Sequence, residues 1–439
     1  LLVVLGGHLR ISSQAKSSIF LHLGLLLTMI IIITYSIVQY TSLSIYSVPV
    51  ASVAMLTMLL FNSSRITFLM AFISSLFVSH MLGGDFGMMI MFLSGSLVGA
   101  YTVRDARTRG QLITAGLFVS VVQVIAIVLI YPSVTTLLDG NFITYFIYPT
   151  IANGFTVALF VAATLKIFES VFGVLTNFSL LELSDFNHPL LKRMIMEAPG
   201  TYHHSLVVSN LAEAAASEIG ANGLLTRVGA YYHDIGKMAK PEYFTENQLA
   251  CGNKHDNIEP SMSRLVIINH VKDGIELAKK YKLNQAIIDF IPQHHGTSLI
   301  FYFHQRALAE AEDAREVKEE NYRYPGPKPQ MRETAITLLA DSVEGATRSL
   351  DEHTPQNIKD TVHKIVNNKF IDGQLDECPL TLKEIDKISK TFIRILSAMY
   401  HGRVKYPEKK KENGNTHKKP SEKNNSQAHQ DKEPNQKSS

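Results

Sequence analysis

Long apolar runs separated by short polar gaps make up the first 166 residues. The runs lie near residues 19–39, 45–61, 66–83, 87–103, 111–131 and 143–165. Each has the roughly 17–25 residues that an α-helix needs to cross the hydrocarbon core of a bilayer. One such run would also suit a buried helix of a soluble protein, but six in succession predict six transmembrane helices.

Basic residues in the gaps predict the orientation of this region. They occupy alternate gaps, at Arg10, Lys16, Arg65, Arg104, Arg107, Arg109 and Lys166, and the other three gaps contain no Lys or Arg. Cytoplasmic loops are enriched in these residues. We therefore expect a multi-pass protein of the cell membrane, with everything after Lys166 in the cytoplasm.

Four regions are predicted along the chain. Residues 1–166 form the transmembrane region, with Leu1–Gly7 as the inner end of a preceding span whose beginning is missing. Residues 167–184 form a connector, and 185–405 a helical domain with 3.6-residue periodicity and no strand-like alternation. Residues 406–439 form a polar, basic tail that is expected to be disordered. The predicted fold class is all-α: a polytopic helical bundle followed by a cytoplasmic helical domain.

Composition adds little to this division. The net charge of +3 over 439 residues carries little information, and we expect no nucleic-acid polymer as a partner. Cys251 and Cys378 are the only cysteines, too few for a disulfide scaffold and without zinc-finger spacing. They are interpreted as reduced thiols of a cytosolic domain.

The first candidate for a functional site is the segment AYYHDIGKMAKP, residues 230–241, in which His233 and Asp234 are adjacent. An isolated pair of this kind usually caps or ends a helix. Alternatively the pair is half of a metal site, and the remaining ligands must then lie elsewhere in the helical domain.

Further candidates occur in four other segments: His204, His270, His294, His295 and Asp341. The first two histidines lie on the apolar stripes of predicted helices, and the histidine pair ends a helix. The aspartate lies inside an apolar helix, where an unpaired carboxylate is costly. One inward histidine is more often a core residue than a ligand, but this many candidates in one domain favour a metal site.

Together with His233 and Asp234 these residues offer more ligands than one ion needs. Imidazole and carboxylate suit iron, manganese, zinc and similar divalent ions. We therefore expect two ions that share one carboxylate. Two ions roughly 3.5–4 Å apart are the common arrangement for attack of water on a phosphodiester.

The order of these candidates along the chain resembles that of the HD-domain phosphohydrolases, in the subset with a second metal. Longer strings also match, namely ELSDFNHPLL, EAPGTYHHS, VGAYYHDIGK, PEYFTENQ, YPGPKPQ and AMYHGRVKYP. They resemble the seven-transmembrane HD-hydrolase family, whose members are membrane-bound cyclic-di-AMP phosphodiesterases. The resemblance extends to about residue 407 and implies an extracellular domain before the membrane helices, which is absent from this chain.

The resemblance implies a role for each candidate. One ion, iron or manganese, would be held by His204, His233, Asp234 and Asp341. The second would be held by Asp234, His270, His294 and His295.

Catalytic roles would fall to Asp234 and to Lys237, which would face the phosphate; the alternative for Lys237 is a solvated surface lysine. Tyr324 and Lys328, in the YPGPKP loop, would border the nucleotide pocket or belong to an ordinary exposed loop. The remaining histidines are interpreted as structural or surface residues: His188, His203, His255, His304, His353, His363 and His401.

The implied function is hydrolysis of cyclic-di-AMP to the linear dinucleotide pApA, which controls the level of a second messenger. The implied partners are this substrate, the lipid bilayer and an extracellular ligand acting through the absent domain; a homodimer is compatible with the same resemblance. A cyclic-di-GMP or alarmone hydrolase of the wider HD class is one alternative. An alarmone hydrolase is disfavoured because it needs only four of the seven ligands. A cyclic-di-GMP hydrolase is disfavoured because HHGTSLIFYFHQ lacks the Gly-Tyr-Pro motif of the guanine-specific branch. A non-catalytic nucleotide-binding receptor is another, although such domains usually lose ligands.

Overall fold

The computed structural model describes residues 13–130, 140–248 and 252–400. Within these ranges the chain contains helices and no β-strand; the nearest approach to a sheet is one isolated bridge between Leu299 and Arg323. The predicted all-α fold class is therefore confirmed. The expectations for Leu1–Gly7, Cys251, His401 and the 406–439 tail lie outside the described residues.

Six helices account for the apolar part of the chain: α1 (Ser13–Tyr40), α2 (Ala51–Phe61), α3 (Ser64–Met81), α4 (Phe86–Val103), α5 (Arg109–Ile130) and α6 (Tyr148–Phe172). Five helical stretches are long and apolar enough to cross a membrane, the last one running from Gly140 to Phe172. The predicted membrane region is present, and one of its predicted boundaries differs.

The predicted span 45–61 contains the 3₁₀ turn Ile45–Ser47 and the 11-residue helix α2; α2 is roughly 16 Å long. Nearly every side chain of α2 is buried, because α3, α4 and α6 pack around it. Its apolar composition therefore reflects enclosure by other helices. The boundary that differs is at the connector: α6 continues through Lys166 to Phe172 and takes in the first third of residues 167–184.

Small residues allow α5 and α6 to cross closely. A Cβ on Gly154 would lie 2.1 Å from the carbonyl oxygen of Gly116, and the reverse substitution would clash equally. Close contact of this kind is a common way to hold membrane helices together. A buried hydrogen bond from Asn153 Nδ2 to Gln123 Oε1, at 3.0 Å, links the same two helices.

The junction between the membrane helices and the following domain is held by polar contacts. Glu169 of α6 is buried and accepts a hydrogen bond from Ser179 Oγ at 2.7 Å. Ser179 belongs to α7 (Asn177–Leu183). The carbonyl of Leu183 at the end of α7 then accepts a hydrogen bond from Tyr232 Oη at 2.7 Å. A continuous set of contacts therefore joins the last membrane helix to the residue before His233.

The second domain is a helical bundle. Its helices are α8 (Pro189–Glu197), α9 (Pro199–Glu218), α10 (Gly223–Tyr232), α11 (Pro260–Lys280), α12 (Gln285–Ile288), α13 (Phe290–Gln293), α14 (Phe301–Glu310), α15 (Arg332–Arg348), α16 (Pro355–Ile371) and α17 (Leu382–Tyr400). One core lies between α9, α15, α16 and α17, and a second joins α10 to α12 and α13. The candidate ligands lie where these two cores meet.

Candidate metal centre

His204 is positioned by the apolar face of α9. Val208, Leu211 and Ala215 follow it on the predicted stripe and are fully buried, and His204 itself is 3% exposed. At the start of the helix, a Cβ on Gly200 would lie 1.8 Å from the carbonyl oxygen of Glu246. Only glycine therefore lets the 245–247 turn pack against the first turn of α9.

The His233-Asp234 pair follows directly after α10 and precedes a 3₁₀ turn, Ile235–Ala239. Asp234 stands at the N-terminal cap position of that turn, but its side chain makes no capping hydrogen bond. The carboxylate points into the protein and is 1% exposed. The pair therefore does more than end a helix.

Three further segments deliver the remaining candidates. His270 lies on the buried face of α11, and His294 and His295 follow α13 in a turn closed by Gly296, whose φ is +55°. Asp341 lies in α15, whose flanking residues Leu338, Leu339 and Val343 are fully buried.

All seven candidates meet in one cluster that divides into two sets. The first set contains His204, His233, Asp234 and Asp341, and the second contains Asp234, His270, His294 and His295. In each set the ligand atoms lie within 4.8 Å of one another. Asp234 is the residue common to both.

The two oxygens of Asp234 face different sets. Oδ2 lies 3.2 Å from His233 Nε2 and 3.6 Å from His204 Nε2. Oδ1 lies 3.4 Å from His270 Nε2 and 3.4 Å from His294 Nε2. This is the arrangement that a bridging carboxylate adopts between two cations.

The other ring nitrogen of each fully buried histidine is already bonded. Nδ1 of His233 bonds to the carbonyl of Ala230 at 2.7 Å, and those of His270 and His294 bond to carbonyls three residues upstream, at 2.5 and 2.7 Å. Such bonds fix the ring and leave Nε2 free to ligate, as in most metal-binding histidines.

The donor set fits a metal ion. Nε2 of His233, His270 and His294, together with Asp234 Oδ1, are buried without a hydrogen-bond partner. Buried polar atoms are rarely left unpaired, because each one costs about 1–3 kcal/mol. Four such atoms aimed at common points are explained by divalent cations between them.

Two of the clustered histidines are held in the neutral form. Burial lowers the pKa of His270 to about 4 and, together with the neighbouring imidazoles, holds that of His295 well below its usual range. Both rings are therefore neutral, the form that coordinates metals. Burial opposes ionisation of Asp234, yet the Lys237 ammonium and His233 hold the pKa of this carboxyl well below its usual range.

Lys237 lies at the edge of the cluster. Its Nζ is 2.7 Å from Asp234 Oδ2 and 2.8 Å from Glu246 Oε1, so the ammonium is already paired with two carboxylates. Tyr324 also lies there, with its ring stacked on His295 at a centroid distance of 4.1 Å. Lys328 does not: its Nζ lies 3.6 Å from Asp376, and no contact joins it to the clustered ligands within the described residues.

Two carboxylates near the cluster were missed from the sequence. Glu344 Oε2 accepts a hydrogen bond from His204 Nδ1 at 2.6 Å, and its side chain is buried. The sequence does indicate that Glu344 lies near the cluster, because it follows Asp341 by three residues and therefore lies on the same helix face. Glu246 lies in the string PEYFTENQ, and nothing in its local pattern connects it to Lys237.

The histidines interpreted as structural or surface residues lie outside the two sets. His203 is exposed, and His188 accepts a hydrogen bond at the start of α8. His255 is buried and bonds to the carbonyl of Tyr243 at 2.8 Å. None of the described members of this group shares a ligand set with the cluster.

Comparison with known proteins matches both parts of the chain. Residues 3–176 match the family described as a 7TM receptor with intracellular HD hydrolase, and residues 201–346 match the HD domain. A protein of Bacillus subtilis named cyclic-di-AMP phosphodiesterase PgpH is 39% identical over 390 residues, which is 88% of this chain and 54% of that protein.

The protein of the same name from Listeria monocytogenes is 43% identical over 325 residues, 74% of this chain and 45% of its own length. This chain therefore spans about half the length of the curated relatives it matches. A crystal structure of the Listeria PgpH HD domain in complex with cyclic-di-AMP is 51% identical, with a TM-score of 0.48; the match covers 49% of this chain and 100% of that one.

Proposed function

Because this chain belongs to the family of seven-transmembrane receptors with an intracellular HD hydrolase domain, we propose that it is a membrane-bound phosphodiesterase. Its substrate would be cyclic-di-AMP and its product the linear dinucleotide pApA, so that it lowers the level of a second messenger. The observation that carries this proposal is Asp234, whose two oxygens face two separate ligand sets. The adenine base is supported by the names of the relatives.

Two divalent ions, iron or manganese, would occupy the cluster. His204, His233 and Asp341 would complete one coordination set around Asp234, and His270, His294 and His295 the other. When bound, the ions supply positive charge for the attacked phosphate and an activated water.

The chain's own groups hold this arrangement in place. Glu344 fixes the ring of His204 through Nδ1, so that Nε2 stays aimed at the cluster. Asp234 keeps its negative charge between the two sets, which allows two cations to lie close together. Lys237 is paired with Asp234 and Glu246; if bound cations took over the charge of Asp234, its ammonium would also be able to donate to a phosphate oxygen.

The placement of the domains is part of the proposal. The helical domain would lie in the cytoplasm, because Arg104, Arg107 and Arg109 mark a cytoplasmic gap and Lys166 lies on the same side. The transmembrane region would act as the sensor, and the connector would carry its state through α7 to Tyr232. A homodimer and an extracellular ligand stay predictions from the family resemblance.

The test is turnover by the purified full chain with Mn²⁺ or Fe²⁺. We expect cyclic-di-AMP to be converted to pApA faster than cyclic-di-GMP to its linear product. Asp234→Asn removes the bridging charge with little change of shape, so turnover should fall by orders of magnitude. Asp386→Asn, on an exposed aspartate of α17, is the matched control and should behave as wild type.

Two results would count against the proposal. Retention of more than about a tenth of wild-type turnover by Asp234→Asn corresponds to a barrier change under ~1.4 kcal/mol, too little for a bridging ligand. Faster hydrolysis of cyclic-di-GMP would reject the adenine assignment and leave the phosphodiesterase assignment in place.

A further inference from the structure

Among the described cations near the cluster, Lys237 and Arg323 are already neutralised by carboxylates. Lys237 is paired with Asp234 and Glu246. Arg323 donates to Asp372 at 2.7 Å and to Glu319 at 2.6 Å. Each of these two cations therefore already has two carboxylate partners.

Lys369 is the exception. Its Nζ donates to the neutral hydroxyl of Ser298 at 2.7 Å, and no carboxylate of the described residues lies within 4.0 Å of it. Asp372, the acid three residues later, is occupied by Arg323. Burial lowers the pKa of the Lys369 ammonium, and the Asp341 carboxylate partly offsets this effect.

Ser298 places this ammonium beside the metal centre. Its backbone N–H donates to the carbonyl of His295 at 3.0 Å, and its own carbonyl accepts from Tyr324 N at 3.0 Å. Tyr324 in turn stacks on His295. The ammonium therefore lies close to His295, and the Asp341 carboxylate is near enough to raise its pKa.

A partly buried lysine without an acidic partner is costly unless an anion completes it. A cyclic dinucleotide carries two phosphodiesters in one ring, and only one of them can occupy the metal centre. We propose that Lys369, with the Ser298 hydroxyl, binds the second phosphate of the cyclic dinucleotide. This inference rests on the proposed function and adds a substrate-binding residue to it.

A simpler role for Lys369 also has to be tested. The residue lies in the last turn of α16, where a cation is favoured by the helix dipole. That role would change the stability of the helix but would not distinguish one phosphate ester from another. Substrate discrimination therefore separates the two roles.

The experiment compares two substrates on the metal-loaded full chain: cyclic-di-AMP, with two phosphodiesters, and bis(p-nitrophenyl) phosphate, with one. For Lys369→Met we expect the ratio of kcat/KM values, dinucleotide over simple ester, to fall about 10- to 100-fold, the size of a lost hydrogen bond to a charged group. The loss should appear mainly in KM. Lys369→Arg should recover part of it, because it keeps the charge.

Lys364→Met is the matched control, since Lys364 is an exposed lysine of the same helix; its ratio should equal that of wild type. Equilibrium binding of a phosphorothioate analogue of cyclic-di-AMP gives a second readout without turnover, and Lys369→Met should weaken it by a similar factor. A lowered melting temperature with an unchanged ratio would assign Lys369 to the helix end and overturn the proposal.

Failure of this inference is distinguishable from failure of the proposed function. Equal loss on both substrates by Lys369→Met, in a chain whose wild type cleaves cyclic-di-AMP, overturns only the inference. A wild-type chain that cleaves the simple ester and neither binds nor cleaves the dinucleotide overturns both.

Discussion

Gly236, in the segment HDIGK, lies against α11 more closely than any other residue type would permit. A Cβ at this position would lie 1.8 Å from the carbonyl oxygen of His270 and 2.5 Å from the backbone nitrogen of Gly274. Real Cβ atoms essentially never approach other atoms within 3.0 Å. Gly236→Ala must therefore separate the 3₁₀ turn from α11 by roughly 1 Å.

The expected cost follows from this clash. Overpacking a tight contact costs about 1–3 kcal/mol, and we expect the upper part of that range because both obstacles are backbone atoms. In a domain of about 200 residues each kcal/mol lowers the melting temperature by roughly 2–4 °C. The same movement carries His270 about 1 Å from its ligand position, a displacement that can reduce turnover about 100-fold.

Gly345→Ala is the matched control. Gly345 lies inside α15, and a Cβ there would meet no atom within 4 Å. Alanine in place of a helical glycine stabilises by about 0.5–1 kcal/mol, so this variant should melt slightly above wild type and keep its turnover.

The assay is thermal unfolding of the detergent-solubilised full chain, followed by circular dichroism, with metal content and cyclic-di-AMP turnover measured on the same samples. We expect Gly236→Ala to melt about 4–12 °C below wild type and to lose metal from the set that contains His270. A Gly236→Ala chain with wild-type melting, metal content and turnover would refute the close contact and the argument built on it.

Three further predictions address the metal ions, the residue that orients a ligand and the membrane topology. His270→Ala should lower the metal content by about one ion per chain and abolish hydrolysis, whereas His363→Ala should do neither; unchanged stoichiometry by elemental analysis would reject the two-ion assignment. Glu344→Gln should weaken metal binding by about 10- to 100-fold, since it removes the charge that holds a ligating imidazole. Metal affinity is measured by competition with a chelator, and an unchanged affinity would show that this contact is dispensable. In a cysteine-free background, a cysteine at Leu43 should react with a membrane-impermeant thiol reagent from outside the cell and one at Thr108 should not; the reverse pattern would invert the orientation.

Local periodicity was sufficient to predict that His204 and His270 lie on the inward faces of their helices. His204 and His270 repeat in step with buried apolar residues, and a side chain in register with a buried stripe is itself buried. The same reasoning identified the apolar runs as membrane helices. Composition alone, however, does not distinguish a helix surrounded by lipid from α2, which is surrounded by other helices.

Only the tertiary structure decided how the groups work together. The contacts of His204 with Asp341 and Glu344 join residues that are 137 and 140 positions apart, so no local pattern contains them. Likewise, the sequence placed Asp234 beside His233, but it could not assign one oxygen to each ligand set, nor show that Arg323 is neutralised while Lys369 is not. Those properties depend on interatomic distances of a few ångströms. The packing of separate helices sets these distances and so determines which carboxylate, if any, lies within ion-pair distance of each cation.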